Sequence, residues 1–170
     1  NRSAHGLMQV VPDTAGGEVH RWLGRTGKPS PSLLLHPETN IKYGTAYMYL
    51  LQNRHLSAIA DPQSREYCAI AAYNIGTGGM LRTFGKSRDA AFEAINAMTP
   101  EQVRNTLLKK LSSRETKAFL AKVLKSRERF SMLSLRKVRA TFSAIPESRR
   151  DRPAIPSFVV DCGLRGKKVR

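Results

Sequence analysis

Helix starts recur through the first 115 residues, and they leave little room for anything but an α-helical fold. Asp61-Pro62 pairs an N-cap aspartate with a proline at the first helical position, where the missing N–H costs nothing. Thr99-Pro100-Glu101-Gln102 reads as a capping box, with Gln102 reaching back to the Thr99 backbone. Ser112-Ser113-Arg114-Glu115 offers a second box, with Ser112 as cap and Glu115 as its partner. Ser87 is placed to cap a helix through Phe92 and Ile95, and Pro12-Asp13-Thr14 opens one carrying Val19, Trp22 and Leu23. Between these starts, apolar residues recur at helical spacing. Ile41, Ala46, Tyr47, Leu50 and Leu51 predict a helix over residues 38–54, followed by Tyr67, Cys68, Ala71, Ala72 and Ile75 after Asp61. Phe119, Leu120, Val123 and Leu124 share one face later on. Residues 24–32 read as a Gly/Pro/Ser loop, and Gly76-Thr77-Gly78-Gly79 ends the helix before it.

The pattern changes near residue 130. Leu133, Leu135, Val138, Ala140 and Phe142 alternate weakly, as in a strand, and prolines 146, 153 and 156 bracket Arg149-Arg150-Asp151-Arg152. The expected organisation is an all-α domain over residues 1–130 and a basic, mostly irregular tail over 131–170. The formal net charge is +16, with +9 in residues 1–130 and +7 in the shorter remainder. Such a surface attracts polyanions without choosing among them. The tail holds only Phe142 and Phe158 among its basic residues, too few aromatics for a single-strand nucleic-acid binder, so nucleic acid is not the expected partner. Cys68 and Cys162 have no metal or redox spacing, and Cys68 reads as a small buried hydrophobe. The four histidines, His5, His20, His36 and His55, are scattered and suggest no metal site. No apolar run approaches the roughly 18–20 residues of a membrane span.

Chemistry enters with four ordered segments. These are Gly6-Leu7-Met8-Gln9 with Pro12 and Thr14-Ala15; Pro37-Glu38-Thr39-Asn40-Ile41 with Gly44, Ala46 and Tyr47; Ala72-Tyr73-Asn74-Ile75-Gly76; and Glu115-Thr116 through Lys122-Val123. Together they resemble the soluble-lytic-transglycosylase-like (SLT) catalytic domain, and within that family they look most like its membrane-bound type C branch. The resemblance spans residues 1–129.

The resemblance implies a lysozyme-like helical fold and cleavage of the β-1,4 bond between N-acetylmuramic acid and N-acetylglucosamine. One glutamate serves instead of the carboxylate pair of most glycosidases. It protonates the leaving oxygen, then acts as base while the sugar's C6 hydroxyl closes onto C1 to give a 1,6-anhydro end. Family spacing puts that glutamate about ten residues before Asn1. The chain is therefore expected to be an N-terminally truncated domain with no catalytic acid of its own. Glu18, Glu38, Glu66, Glu93, Glu101, Glu115 and Glu128 do not match the catalytic position.

The implied supporting residues carry over one by one. Tyr73 matches the tyrosine whose hydroxyl reaches the catalytic glutamate. Met8, Gln9 and Asn74 match groove residues that bind substrate, and Glu115 matches an acidic residue near the sugar subsites. Met8 reads equally well as a core filler, and Glu115 as the capping partner of Ser112. Phe119 stands where a tyrosine is common, so one hydroxyl of the family's site is missing. Trp22 and Tyr47 are expected in the core. No cofactor or metal is implied. The implied partner is peptidoglycan on the periplasmic side of the cell envelope, with the basic tail on an anionic envelope surface. Two other readings stand beside this one: a glycan-binding remnant without activity, and, on charge alone, a nucleic-acid binder. The tail itself reads either as an envelope-binding extension or as the product of a shifted reading frame.

Overall fold

The computed structural model describes residues 4–143, with side chains described through residue 130. Contacts divide the chain into two units, Asn1–Arg127 and Glu128–Arg170. The described residues are helical, apart from turns and one isolated antiparallel pairing of His5 with Val10. A π-helical turn, Pro12–Gly16, runs into α1 (Gly17–Trp22). Then come α2 (Pro31–Leu35), α3 (Pro37–Leu50), a second π-helical turn (Leu51–His55), α4 (Pro62–Ile75), α5 (Thr77–Leu81), α6 (Arg88–Asn96), α7 (Pro100–Lys110) and α8 (Arg114–Ser143).

The local signals explain the helix starts. Asp61 accepts from the Ser64 N–H at 2.6 Å, and Ser87 from the Ala90 N–H at 3.2 Å. The capping box at Thr99 is complete in both directions, at 3.3 Å to the Gln102 N–H and 2.8 Å from the Thr99 N–H to Gln102. Replacing Thr99 by alanine opens one orphan N–H of α7, and we expect urea denaturation to show a loss of about 1 kcal/mol. A loss below a few tenths would mean that water caps this helix equally well.

The first unit has two apolar cores. The smaller gathers Val10, Val19, Leu34, Tyr43 and Leu50. The larger is built on α4, which buries Tyr67, Cys68, Ala69, Ile70, Ala71 and Ala72, and so reads as a central helix, apolar on nearly every side. Met80, Phe92, Ile95, Val103, Leu107, Leu111 and Leu120 close around it from the later helices. Tyr47 packs against both cores, so the aromatic face of α3 sits where they meet.

Several expectations change. Residues 131–143 continue α8 as helix rather than alternating as a strand; no Gly or Pro interrupts the sequence between Arg114 and Pro146. The tail motifs from residue 144 onward lie outside the described residues. Trp22 and Leu23 are not core: they are 48% and 47% exposed, because α1 turns only Val19 and His20 inward with Gly17. On α3, Ile41 faces solvent and Tyr43 is buried, its hydroxyl 2.7 Å from Nδ1 of buried His20. The helix over residues 38–54 is α3 plus a π-helical turn. Inside the Gly/Pro/Ser segment, Ser30 caps α2 through the Leu33 N–H at 3.2 Å. The second box is shifted by one residue. Ser113, not Ser112, accepts from the Thr116 N–H at 3.1 Å, which frees Glu115 from a capping role. The glycine segment after α4 does not stay irregular, because α5 begins at Thr77.

Candidate active site

The Gly6–Gln9 segment is a four-residue turn. Gln9 N–H donates to the Gly6 carbonyl at 3.1 Å, and His5 and Val10 exchange two backbone bonds of 3.0 Å across its base. Gly6 has φ +69, and a Cβ there would meet the Asn40 side chain at 2.4–2.7 Å, so conformation and space both require glycine. Gln9 adopts φ 50, the left-handed region that a side chain rarely occupies. Its carboxamide stays with the turn, donating to the Gly6 carbonyl at 2.9 Å.

Asn40, fully buried on α3, holds this turn to the domain. Its Oδ1 accepts from the Met8 N–H at 2.6 Å, while its Nδ2 donates to the His5 carbonyl at 2.8 Å and the Leu34 carbonyl at 2.7 Å. Both Nδ2 hydrogens and the Oδ1 of the carboxamide are thus engaged. Met8 is held from a second side by α4, because Tyr73 Oη donates to its carbonyl at 2.8 Å. From a third side, Gly44 lets the Met8 side chain lie against the α3 backbone; a Cβ there would sit 2.6 Å from Met8 Cβ. Met8 is thus half-buried against the smaller core, yet its peptide is pinned in a network with Tyr73.

Tyr73 packs against Tyr47 with ring centroids 5.6 Å apart and a 58° tilt. Burial, then the neighbouring Tyr47, pushes the Tyr73 phenol up from 10.0 to about 12. Burial, then the Glu18 carboxylate, raises Tyr47 as well. Glu18 itself is paired with His55 Nε2 at 2.6 Å, and Arg88 donates to the His55 carbonyl at 2.6 Å. Burial also drives the Cys68 thiol from 9.0 to about 12. The unfolded chain ionises both groups first. Their contribution to stability is therefore complete below pH 9 and is lost as the pH climbs toward 12. We expect a phenolate titration by ultraviolet absorbance to show a late tyrosine phase that Tyr73→Phe diminishes. Loss of an early phase instead would contradict the burial of that hydroxyl.

The next residue, Asn74, opens a second group of contacts. Buried Thr116 donates its hydroxyl to Asn74 Oδ1 at 2.6 Å, which turns the Asn74 Nδ2 toward Glu115 Oε1, 3.5 Å away. Of the residues singled out in the sequence, Met8 and Tyr73 touch directly, and Asn74 and Glu115 face each other. Gln9 sits beside Met8 with its donor committed to the turn. Asn40 and Thr116 are the additions; both lie in the matched segments, but nothing local reveals the bonds they make across 32 and 42 residues. Phe119, lacking a hydroxyl, packs half-buried against the larger core. Among the described residues, no cluster of three or more His, Cys, Asp or Glu side chains could hold a metal ion.

A tight N-terminal turn pinned by an α3 asparagine and an α4 tyrosine, within an all-α domain, accompanies a direct family match. The model of the transglycosylase SLT domain matches residues 1–96, and the chain belongs to that family. It is 48% identical over 120 residues to the membrane-bound lytic murein transglycosylase C of Sodalis glossinidius (strain morsitans), covering 71% of this chain and 34% of that protein. The protein of the same name from Serratia proteamaculans (strain 568) gives the same identity and coverage. That of Actinobacillus succinogenes is 42% identical over 128 residues, covering 75% of this chain and 36% of its own length. The chain thus spans about a third of the length of these curated relatives.

Proposed function

We propose that this chain forms the glycan-holding part of a peptidoglycan lytic transglycosylase. The whole enzyme cuts the β-1,4 bond between N-acetylmuramic acid and N-acetylglucosamine without water, leaving 1,6-anhydro ends. The observation that carries this reading is the bond from Tyr73 Oη to the Met8 carbonyl. With its proton spent there, the hydroxyl offers lone pairs to a carboxyl group, and only a protonated carboxyl can donate to them. A glutamic acid in such a place meets a neighbour that favours its acid form, as the first step needs. We assign that role to the single catalytic glutamate that the family resemblance implies. It donates its proton to the bridging oxygen as the C1–O bond breaks. It then takes the C6 hydroxyl proton as O6 bonds to C1.

In this reading Met8 and Gln9 shape one side of the sugar groove, and Asn74 with Glu115 offers a donor and an acceptor on the other. Gln9 keeps its Oε1 for a hydroxyl or acetamide while Nε2 stays in the turn. The polymer's stem-peptide carboxylates suit a surface of net charge +16, with the basic residues of 131–170 on an anionic envelope surface. The names of the relatives, membrane-bound and lytic for murein, support a place in the cell envelope. No helix of the described residues is long and apolar enough to cross a membrane. Digestion of purified peptidoglycan by the full-length protein, followed by mass spectrometry, should give muropeptides lighter by one water than hydrolysis products. Binding without cleavage would instead mark a glycan-holding remnant, and no binding would remove the reading altogether.

A further inference from the structure

Trp22 and Tyr49 are 48% and 54% exposed, with ring centroids 5.8 Å apart and a 37° tilt. Aromatic pairs usually add to cores and interfaces; here both residues are about half exposed. The pair lies away from the groove. Tyr47, which packs on Tyr73, and Tyr49 are two residues apart on α3, about 200° around the helix axis. Tyr43 and Tyr47 point inward, whereas exposed Ile41, Thr45 and Tyr49 follow one another at four-residue steps on the outer face.

We propose that the Trp22–Tyr49 pair is a second glycan-binding platform, which stacks an N-acetylated aminosugar ring of the same polymer outside the groove. This rests on the glycan reading above and adds a site to it. A pyranose ring presents a face of C–H groups that matches an aromatic ring face, while its hydroxyls and acetamide need polar partners at the rim. Asn53 supplies one. Its Nδ2 donates to the Tyr49 carbonyl at 3.0 Å, which fixes the carboxamide one turn beyond the ring and leaves Oδ1 as an acceptor. Exposed Arg21, which precedes Trp22 on α1 and carries its guanidinium back toward Gly17, adds a cation on the same short helix for carboxylates farther along the strand. A strand held at a second point raises its effective concentration at the groove without any new contact there.

Trp22 is the chain's only tryptophan, so its emission reports the platform directly. We expect the full chain titrated with chitotetraose, and with solubilised peptidoglycan strands, to show a saturable change in Trp22 emission. Tyr49→Ala should weaken it by about fivefold or more, in line with losing one face of a stacked aromatic contact. Asn74→Ala, on the groove, should leave it in place. Both sites are on the surface, and circular dichroism establishes that the variants are folded. A silent Trp22 at concentrations where the chain sediments with peptidoglycan would overturn the platform and leave the groove reading standing. Failure of the groove reading appears separately, as absence of anhydro products from the full-length protein. A Trp22 response confined to anionic phospholipid vesicles, or one that follows self-association in sedimentation, would overturn the platform in favour of a membrane or a second copy.

Discussion

Asn40→Ala should lower the unfolding free energy by about 3–5 kcal/mol, because one truncation removes three hydrogen bonds and leaves two buried or half-buried backbone groups unpaired. The Met8 N–H loses its acceptor and the Leu34 carbonyl its donor, while the His5 carbonyl loses one of two and keeps the Val10 N–H at 3.0 Å. The side chain is 0% exposed, so water does not replace these bonds without opening the fold. For a domain of this size the midpoint of thermal unfolding should fall by about 10 °C or more. Asn40→Asp separates the two halves of the effect. The carboxylate still accepts from Met8 but faces the His5 and Leu34 carbonyls with oxygens alone, so it should be no better than alanine at neutral pH. Urea denaturation of both variants checks this. A loss below about 1 kcal/mol for either would show that the turn is held by something other than Asn40.

The second large effect is expected from Gly44→Val. A Cβ at this position would lie 2.6, 2.7 and 2.8 Å from Met8 Cβ, Cγ and Cε. The far end of the thioether can swing away, but Cβ cannot move without the Met8 backbone. That backbone is fixed by Asn40 on one side and Tyr73 on the other. Valine adds two methyl groups to the clash and should cost about 2–4 kcal/mol, well beyond the small gain from removing a helix-interior glycine. Glycan affinity should fall together with stability, by about tenfold, because relieving the clash moves the Met8 peptide. A double-mutant cycle with Met8→Ala isolates the contact. The pair should be less destabilised than the sum of the singles, since the smaller side chain removes the Cγ and Cε clashes. Strict additivity would mean that the glycine is needed for some other reason.

Much of this architecture is legible in the sequence because its signals are local. Asp61, Ser87 and Thr99 bond to backbone groups three residues away, and such bonds leave a readable spacing. Ser30 does the same, but it is hidden among the glycines and prolines of a loop-like segment. The direction of each side chain is harder to read on α3, where Ile41, Tyr43, Ala46, Tyr47, Met48, Tyr49 and Leu50 offer apolar surface on most sides. Which tyrosines go inward is decided by partners on other elements, His20 for Tyr43 and Tyr73 for Tyr47. The same holds for the site. Met8, Gln9, Tyr73, Asn74 and Glu115 are findable by family resemblance. The roles of Asn40 and Thr116 depend on distant backbone or side-chain partners that no spacing encodes. Trp22 is a reversal of a sound expectation: large and aromatic, it belongs in a core by composition, yet α1 turns Gly17, Val19 and His20 inward and leaves it exposed.

The groove beside Met8 and Tyr73, on the turn that buried Asn40 holds, is proposed to serve a cleavage in which the sugar's own hydroxyl replaces water. The most direct measurement is digestion of peptidoglycan by the full-length protein in isotopically heavy-oxygen water, with the new muramic acid ends analysed by mass spectrometry. The new ends should be anhydro and carry no heavy oxygen, and Tyr73→Phe should slow their production strongly. Heavy oxygen incorporated at C1 of those ends would contradict it and make the reaction a hydrolysis.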